Sequence, residues 1–183
     1  MRPQLPERKT DTESTAKDVV AFLDLMDGLG VHIWLEGGWA VDACLGRQTR
    51  PHSDLDIVLE KRDLARVVEA LLALGYVDVP RPDSRPWNFV MGDGRGHEVD
   101  FHVIELGPSG DGTYGESGEV YPAAALTGRG SVAGLSVGCI TPEWLVRWHT
   151  GYELHIKDWQ DVSALCERFG IQLPTEYERL GPA

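Results

Sequence analysis

Two stretches of this sequence place apolar side chains at helical spacing. The first begins at residue 15 and ends at the glycines at positions 28 and 30, and the second covers residues 63–74 before Gly75. Both patterns predict amphipathic helices. Short runs of β-branched and aromatic residues predict strands over residues 31–35, 55–59, 76–79, 88–91, 98–104 and 135–140.

Three further helices complete the predicted order of elements. One covers residues 39–45, one begins at Thr141 and Pro142, and one covers residues 158–169. The mixture of strands and helices predicts an α+β fold with a small helical C-terminal part. We expect a flexible tail over residues 1–14, a core over 15–122 and a C-terminal strand-and-helix part over 123–183.

The stretch from 107 to 119 is rich in glycine and acidic residues. A loop of this length inside a compact domain is uncommon, and it is usually a lid, a binding loop or a disordered segment. The sequence leaves these choices open.

Charge narrows the range of partners. The 183 residues include 29 acidic and 17 basic side chains, for a formal net charge of −12. Proteins that hold nucleic acid backbones usually present a basic face, so we expect no nucleic acid partner and favour an amine-bearing small molecule. No apolar run approaches the roughly 20 residues of a membrane span. The polar N-terminus and three widely spaced cysteines predict a cytoplasmic protein with reduced thiols.

The strongest chemical signal is the pair Asp54 and Asp56 at the start of a predicted strand. Side chains two residues apart on a strand share a face, so the two carboxylates lie side by side. Their mutual repulsion favours a bound cation, and hard oxygen ligands suit Mg²⁺. The alternative is a solvent-facing strand edge with two unrelated acidic residues.

Gly37 and Gly38 follow one predicted strand and open the next helix. Glycines allow close approach of a ligand, and a helix start offers free N–H groups to a phosphate. Arg50 lies between this turn and the acidic pair, where it could reach phosphates or remain a solvated surface charge. The turn itself could equally be a tight connection without a ligand.

A later strand carries a third carboxylate, Asp100, on the same face as Glu98 and His102. A neighbouring carboxylate could complete a site for two divalent ions or take a proton from an attacking hydroxyl. The alternative is a polar strand face beside solvent.

Taken together, the Gly37-Gly38 turn, the Asp54–Asp56 pair and Asp100 resemble the antibiotic nucleotidyltransferases of the polymerase-beta-like superfamily. The resemblance is to the small lincosamide nucleotidyltransferases and the aminoglycoside 2''-adenylyltransferases. It covers residues 31–104 well and is weaker in the C-terminal helices. Many superfamily members have serine after the second glycine. This sequence has Trp39 at that position, and its side chain cannot make the phosphate contact of a serine. The resemblance therefore implies that backbone N–H groups and Arg50 make the contact instead.

The resemblance implies a fold, an activity and a set of residue roles. The fold is a mixed sheet flanked by helices, and the activity is Mg²⁺-dependent transfer of a nucleoside monophosphate, AMP, from a nucleoside triphosphate to a hydroxyl group. Asp54, Asp56 and Asp100 are the implied catalytic residues and ligands of two Mg²⁺ ions. The implied nucleotide-binding residues are Gly37, Gly38, Arg50 and Lys157.

The acceptor implied by the resemblance is a small antibiotic, with a lincosamide ahead of an aminoglycoside. Trp87, Glu98 and His102 are the weaker candidates for acceptor binding, and Trp87 could instead anchor its proline-rich loop. Residues 88–122 hold seven acidic side chains and one basic one, which either attract an amine-bearing acceptor or keep a loop solvated. Asp158 and Asp161 suit the dipole at the start of the last helix.

Two rival interpretations remain at this stage. A nucleotidyltransferase of the same fold could modify a protein or a native metabolite, or the chain could be a non-catalytic binding domain. The resemblance also implies a homodimer.

Overall fold

The computed structural model describes residues 14–116, 118–178 and 180. Within these residues, helices and strands alternate along the first half of the chain. The elements are α1 (Ala16–Gly28), β1 (Ile33–Leu35), α2 (Gly37–Leu45), β2 (Leu55–Glu60), α3 (Lys61–Ala73), β3 (Val77–Asp78), β4 (Asn88–Gly92), β5 (Glu98–Leu106), β6 (Gly112–Tyr114), β7 (Glu119–Tyr121), β8 (Gly128–Val132), β9 (Leu135–Cys139), α4 (Pro142–Trp148) and α5 (Ile156–Phe169).

All the strands belong to one mixed sheet. Its main path runs β3-β4-β5-β2-β1-β9-β8, while β6 extends from β5 and β7 pairs with β6. The β2–β5 and β1–β9 pairs are parallel, and the other pairs are antiparallel. The α+β prediction with a mixed sheet flanked by helices is confirmed.

The predicted helices form where the apolar spacing places them. Thr15 caps α1, and its backbone N–H donates to the Asp18 carboxylate at 2.9 Å. Val67 and Leu71 form the buried stripe of α3. Helix α2 is buried along most of its length between the sheet and α5. None of the helices in the described part of the chain is both long and apolar enough to span a membrane.

A buried network holds the connection between α2 and β2. The Asp42 carboxylate accepts from the Thr49 backbone N–H at 2.9 Å and pairs with His52 Nε2 at 2.5 Å. The His52 ring packs on Trp39 with ring centroids 4.7 Å apart. Ser14 is buried and its N–H donates to the His52 carbonyl at 2.8 Å. The rest of the predicted tail lies outside the described residues.

The prediction of one long loop over residues 107–119 is wrong. This stretch contains β6 and the start of β7, which form a hairpin on β5. The glycines that suggested a loop serve close packing instead, since a Cβ at Gly112 would lie 2.5 Å from Ile104 Cδ1. Strand β8 was also not predicted. A Cβ at Gly128 of this strand would lie 2.2 Å from the Cys139 carbonyl oxygen, so a residue larger than glycine does not fit there.

The division of the chain at residue 122 stays a prediction. Strands β8 and β9 of the C-terminal part join the same sheet as the core, with β9 paired to β1 through Leu35 and Cys139.

Gly130 offers a test of how tightly β8 packs on α2. A Cβ at this position would lie 2.5 Å from the backbone carbonyl of Ala43. We expect Gly130→Ala to lower the free energy of unfolding by about 1–3 kcal/mol, because backbone on both sides must shift. Urea denaturation measures this. The control is Gly28→Ala, which meets nothing within 4 Å and should be neutral or slightly stabilising. Equal stability of the two variants would contradict the packing.

Candidate active site

Two carboxylates meet at the centre of the sheet. Asp56 on β2 and Asp100 on β5 occupy paired positions of the parallel ladder, so their side chains share a face. His102 lies two residues further along β5 on the same face. One ligand atom from each of these three side chains lies within 4.8 Å of the others. The sequence predicted a metal site of Asp54, Asp56 and Asp100, whereas the group that the structure brings together is Asp56, Asp100 and His102.

Asp54 adds a further negative charge just before β2. Burial, and then the charge of Asp54, raise the pKa of Asp56 from 3.8 to about 7. Burial also raises the pKa of Asp100, and Asp54 adds to this increase. Burial acts to lower the pKa of His102, but the Glu36, Asp56 and Asp100 carboxylates outweigh it and raise that pKa. The site therefore concentrates negative charge that needs a cation.

The donor set fits Mg²⁺. Asp100 Oδ1 is buried and has no hydrogen-bond partner among the described residues, although buried carboxylate oxygens normally have one. A divalent cation would satisfy this atom and offset the repulsion between the carboxylates. Carboxylate oxygens are the hard ligands that Mg²⁺ prefers.

The Gly37-Gly38 turn brings the start of α2 against this site. Gly37 has a φ of +56°, and a Cβ there would lie 2.1 Å from Asp56 Oδ2. A Cβ at Gly38 would lie 2.3 Å from His52 Nδ1. Both positions therefore require glycine. The backbone N–H groups of the first turn of α2 lie beside the carboxylates, where an anion would meet the positive end of the helix dipole.

Arg50 lies next to this turn and is held by α5. Its Nε donates to Asp161 Oδ1 at 3.0 Å and its Nη2 to Asp161 Oδ2 at 2.7 Å. The Asp161 side chain is 2% exposed. Asp161 therefore serves as a long-range ion-pair partner rather than as the dipole partner that its position predicted. Asp158 does cap α5, since its carboxylate accepts from the His155 N–H at 2.7 Å.

Two of the predicted residues are engaged elsewhere. The Trp87 carbonyl accepts from the Val103 N–H, and the Trp87 side chain lines a cavity with Leu64 of α3, on the opposite face of the sheet. Glu98 shares the face of Asp100, but its carboxylate accepts from Arg81 at 2.6 Å. Lys157 is exposed at the start of α5, and its role stays a prediction.

An aromatic and acidic cavity of about 450 Å³ adjoins His102. We call it the aromatic–acidic cavity, and it is lined by Glu36, His102, Tyr114, Glu119, Val120, Tyr121 and Trp148. Sequence analysis named His102 in this set and included Glu119 in the acidic stretch of residues 88–122. The sequence signal that could have identified Glu36 is its position directly before the Gly37-Gly38 turn. Tyr121 and Trp148 come from distant parts of the chain and carry no local motif.

A mixed sheet with carboxylates on paired strands, beside a glycine-led helix start, defines a nucleotidyltransferase of the polymerase-beta-like fold. A family model for aminoglycoside-2''-adenylyltransferases matches residues 18–165. The chain belongs to this family.

Two known proteins are similar to this chain in sequence and support the family assignment. The chain is 30% identical over 154 residues to a lincosamide resistance protein of Staphylococcus haemolyticus, which covers 82% of this chain and 94% of that protein. It is 46% identical to a 2''-aminoglycoside nucleotidyltransferase of Escherichia coli, but over 53 residues, or 27% of this chain and 30% of that protein. The predicted resemblance to antibiotic nucleotidyltransferases is confirmed.

Solved structures agree with the fold. A lincomycin-bound lincosamide adenylyltransferase, LnuA, superposes with a TM-score of 0.76 at 27% identity, covering 88% of this chain and all of that one. The aminoglycoside enzyme ANT(2'')-Ia, in complex with adenylyl-2''-tobramycin, gives a TM-score of 0.68 at 21% identity, covering 90% of this chain and 93% of that one. The second match supports the fold alone.

The Arg50–Asp161 pair provides a test of its structural role. Arg50→Met leaves a buried carboxylate without its partner, so we expect a loss of about 2–4 kcal/mol in the free energy of unfolding. Adding Asp161→Asn removes the unpaired charge and should recover part of this loss. Chemical denaturation of the two single variants and the double variant measures the coupling. Strict additivity would show that the pair contributes nothing to the fold.

Asp56→Asn should stabilise the metal-free protein. The folded-state pKa of Asp56, about 7, exceeds its ordinary value of 3.8, so ionisation destabilises the fold increasingly between these pH values and fully above pH 7. In EDTA, the variant should gain about 1–2 kcal/mol at pH 8, or roughly 2–8 °C in Tm, and much less at pH 5. Thermal unfolding at both pH values measures this. Glu105→Gln, at an exposed side chain, is the control, and a gain independent of pH would contradict the assignment.

Proposed function

We propose that this protein transfers a nucleoside monophosphate, AMP, from a nucleoside triphosphate to a hydroxyl group of a small antibiotic, in a Mg²⁺-dependent reaction. The observation that carries the proposal is the pairing of Asp56 with Asp100 on adjacent parallel strands. The partnerless Asp100 oxygen at this pairing supports a bound cation.

Asp54, Asp56 and Asp100 would hold the metal, with two ions as the resemblance implies. When bound, Mg²⁺ neutralises the triphosphate and favours departure of pyrophosphate. The backbone N–H groups at the start of α2 would bind phosphate oxygens, because Gly37 lets this helix start lie directly against the Asp56 carboxylate. Arg50 adds positive charge beside the same turn, and Asp161 fixes its orientation. Lys157 stays a weaker proposal, since it is exposed and distant in sequence from these groups.

Asp100 would also orient the acceptor. Its raised pKa makes the carboxylate a stronger proton acceptor than an ordinary aspartate. A hydroxyl group of the acceptor would donate a hydrogen bond to the second carboxylate oxygen, Asp100 Oδ2, and transfer its proton there as it attacks the α-phosphate.

Similarity favours a lincosamide over an aminoglycoside as the acceptor. The lincosamide resistance protein matches over nearly its whole length, whereas the aminoglycoside nucleotidyltransferase matches over 53 residues. The aromatic lining of the neighbouring cavity supports an acceptor with apolar surface.

The proposal also covers oligomeric state, partner and location. A homodimer follows from the resemblance alone. The net charge of −12 supports a small-molecule partner over nucleic acid. Cys44, Cys139 and Cys166 are free thiols, which supports a cytoplasmic location.

An activity assay tests the proposed function. Purified protein with Mg²⁺, labelled nucleoside triphosphates and a panel of lincosamides and aminoglycosides should release pyrophosphate and add one nucleotide mass to an acceptor. Asp56→Asn should lower kcat by at least about 100-fold, because it removes a carboxylate at the metal site. Glu105→Gln, with an exposed side chain paired to Lys61, should retain activity.

The outcomes separate the parts of the proposal. Binding of Mg²⁺ and nucleotide without transfer to any acceptor would remove the antibiotic and keep the enzyme class. Failure to bind either Mg²⁺ or nucleotide would overturn the proposed metal site. Full activity of Asp56→Asn would do the same.

A further inference from the structure

Glu36 forms one wall of the aromatic–acidic cavity and is held in place from the other side. Its carboxylate accepts from the Tyr121 hydroxyl at 2.9 Å. His102 Nε2 lies 3.9 Å from the same carboxylate. Only 15% of the Glu36 side chain is exposed. A carboxylate has about four acceptor sites, so Glu36 retains capacity for another donor on its cavity side.

Aromatic rings surround this carboxylate. Tyr121 packs edge-on against Tyr114, with centroids 5.5 Å apart, and against Trp148, with centroids 4.8 Å apart. Tyrosine and tryptophan faces attract cations through their quadrupoles, and a desolvated contact is worth more than an exposed one. Rings packed in this way also lose little conformational freedom when a ligand binds.

The charges around the cavity favour a cation. Glu119 adds a second carboxylate to the lining, and Asp56 and Asp100 lie behind His102. Among the residues that the structure describes, the lining contains no lysine or arginine. The carboxylates of this described lining therefore outnumber its basic side chain, His102.

We propose that Glu36, positioned by Tyr121 and enclosed by Tyr114 and Trp148, binds a protonated amine of the acceptor. This inference rests on the proposed function and adds a specificity-determining residue to it. Glu36 directly precedes the Gly37-Gly38 turn, and its carboxylate lies beside His102, which shares the site of Asp56 and Asp100. An amine anchored at Glu36 would leave a hydroxyl of the same small molecule within reach of Asp100.

A comparison of charged and uncharged acceptors tests this inference. The ligand pairs are N-demethyl-lincomycin with its N-acetyl form, and tobramycin with its fully N-acetylated form. Calorimetry without nucleotide or Mg²⁺ measures Kd for wild type, Glu36→Gln and Tyr121→Phe. Glu69→Gln, an exposed residue of α3, is the control for net charge. Acetylation also adds bulk, but this contribution is common to wild type and variant and cancels in the double comparison.

We expect Glu36→Gln to weaken binding of the amine by roughly 10- to 100-fold and to leave binding of the acetylated form nearly unchanged. Tyr121→Phe should show a smaller loss with the same preference, because it frees the carboxylate to rotate. Glu69→Gln should match wild type for all ligands.

The readout distinguishes failure of this inference from failure of the proposed function. Equal loss for amine and amide in Glu36→Gln, or no loss for either, would overturn the role of Glu36 even if nucleotide transfer occurs. Absence of amine binding to wild type would overturn it as well. Selective loss of amine binding would support it even if no nucleotide were transferred.

Discussion

The carboxylates of Asp56 and Asp100 lie side by side on one face of the parallel pair β2–β5. Half-burial and the nearby Asp54 make their ionisation costly, as the pKa of about 7 at Asp56 indicates. A fold that only needed stability would avoid this arrangement, since unpaired charges in a sheet centre weaken it. The proposed divalent cation would remove this cost. The other contacts of the candidate site are positioned relative to these two strands.

The groups around the carboxylates are fixed by contacts that bind no substrate. Asp42 and His52 tie the connection after α2 into the core, and Asp161 holds Arg50 from a helix more than a hundred residues away. Because Gly37 and Gly38 have no side chains, the backbone of the α2 turn can lie directly against the side chains of Asp56 and His52. Catalysis of phosphoryl transfer depends mainly on positioning and charge. Under the proposed function, rigid anchoring of the turn and of Arg50 would serve phosphate binding as well as the fold.

Local patterns predicted the parts of the structure that local forces determine. Helical spacing located α1 and α3, and alternation on β2 and β5 placed Asp56 and Asp100 on faces that the sheet then brought together. The β6–β7 hairpin and β8 were missed because their glycines pack against neighbours that only the folded sheet supplies. Trp87 was considered for the acceptor side, yet its register opposite Val103 sends it to the other face. The Glu36–Tyr121 contact joins residues too distant in sequence for any pattern to reveal.

The carboxylates and the aromatic–acidic cavity rest on different parts of the sheet. The carboxylates lie on central strands, where a change of register or residue would disturb buried neighbours on both sides. The cavity beside them is completed by β6 and β7, and β7 pairs only with β6 among the described strands. Substitutions at the exposed positions of this hairpin, Glu119 and Val120, cost the fold little, whereas Tyr121 is buried. The exposed side of the cavity can therefore vary while Asp56 and Asp100 stay in register. The same fold occurs in lincosamide and aminoglycoside enzymes, as the superposition on both kinds of structure shows.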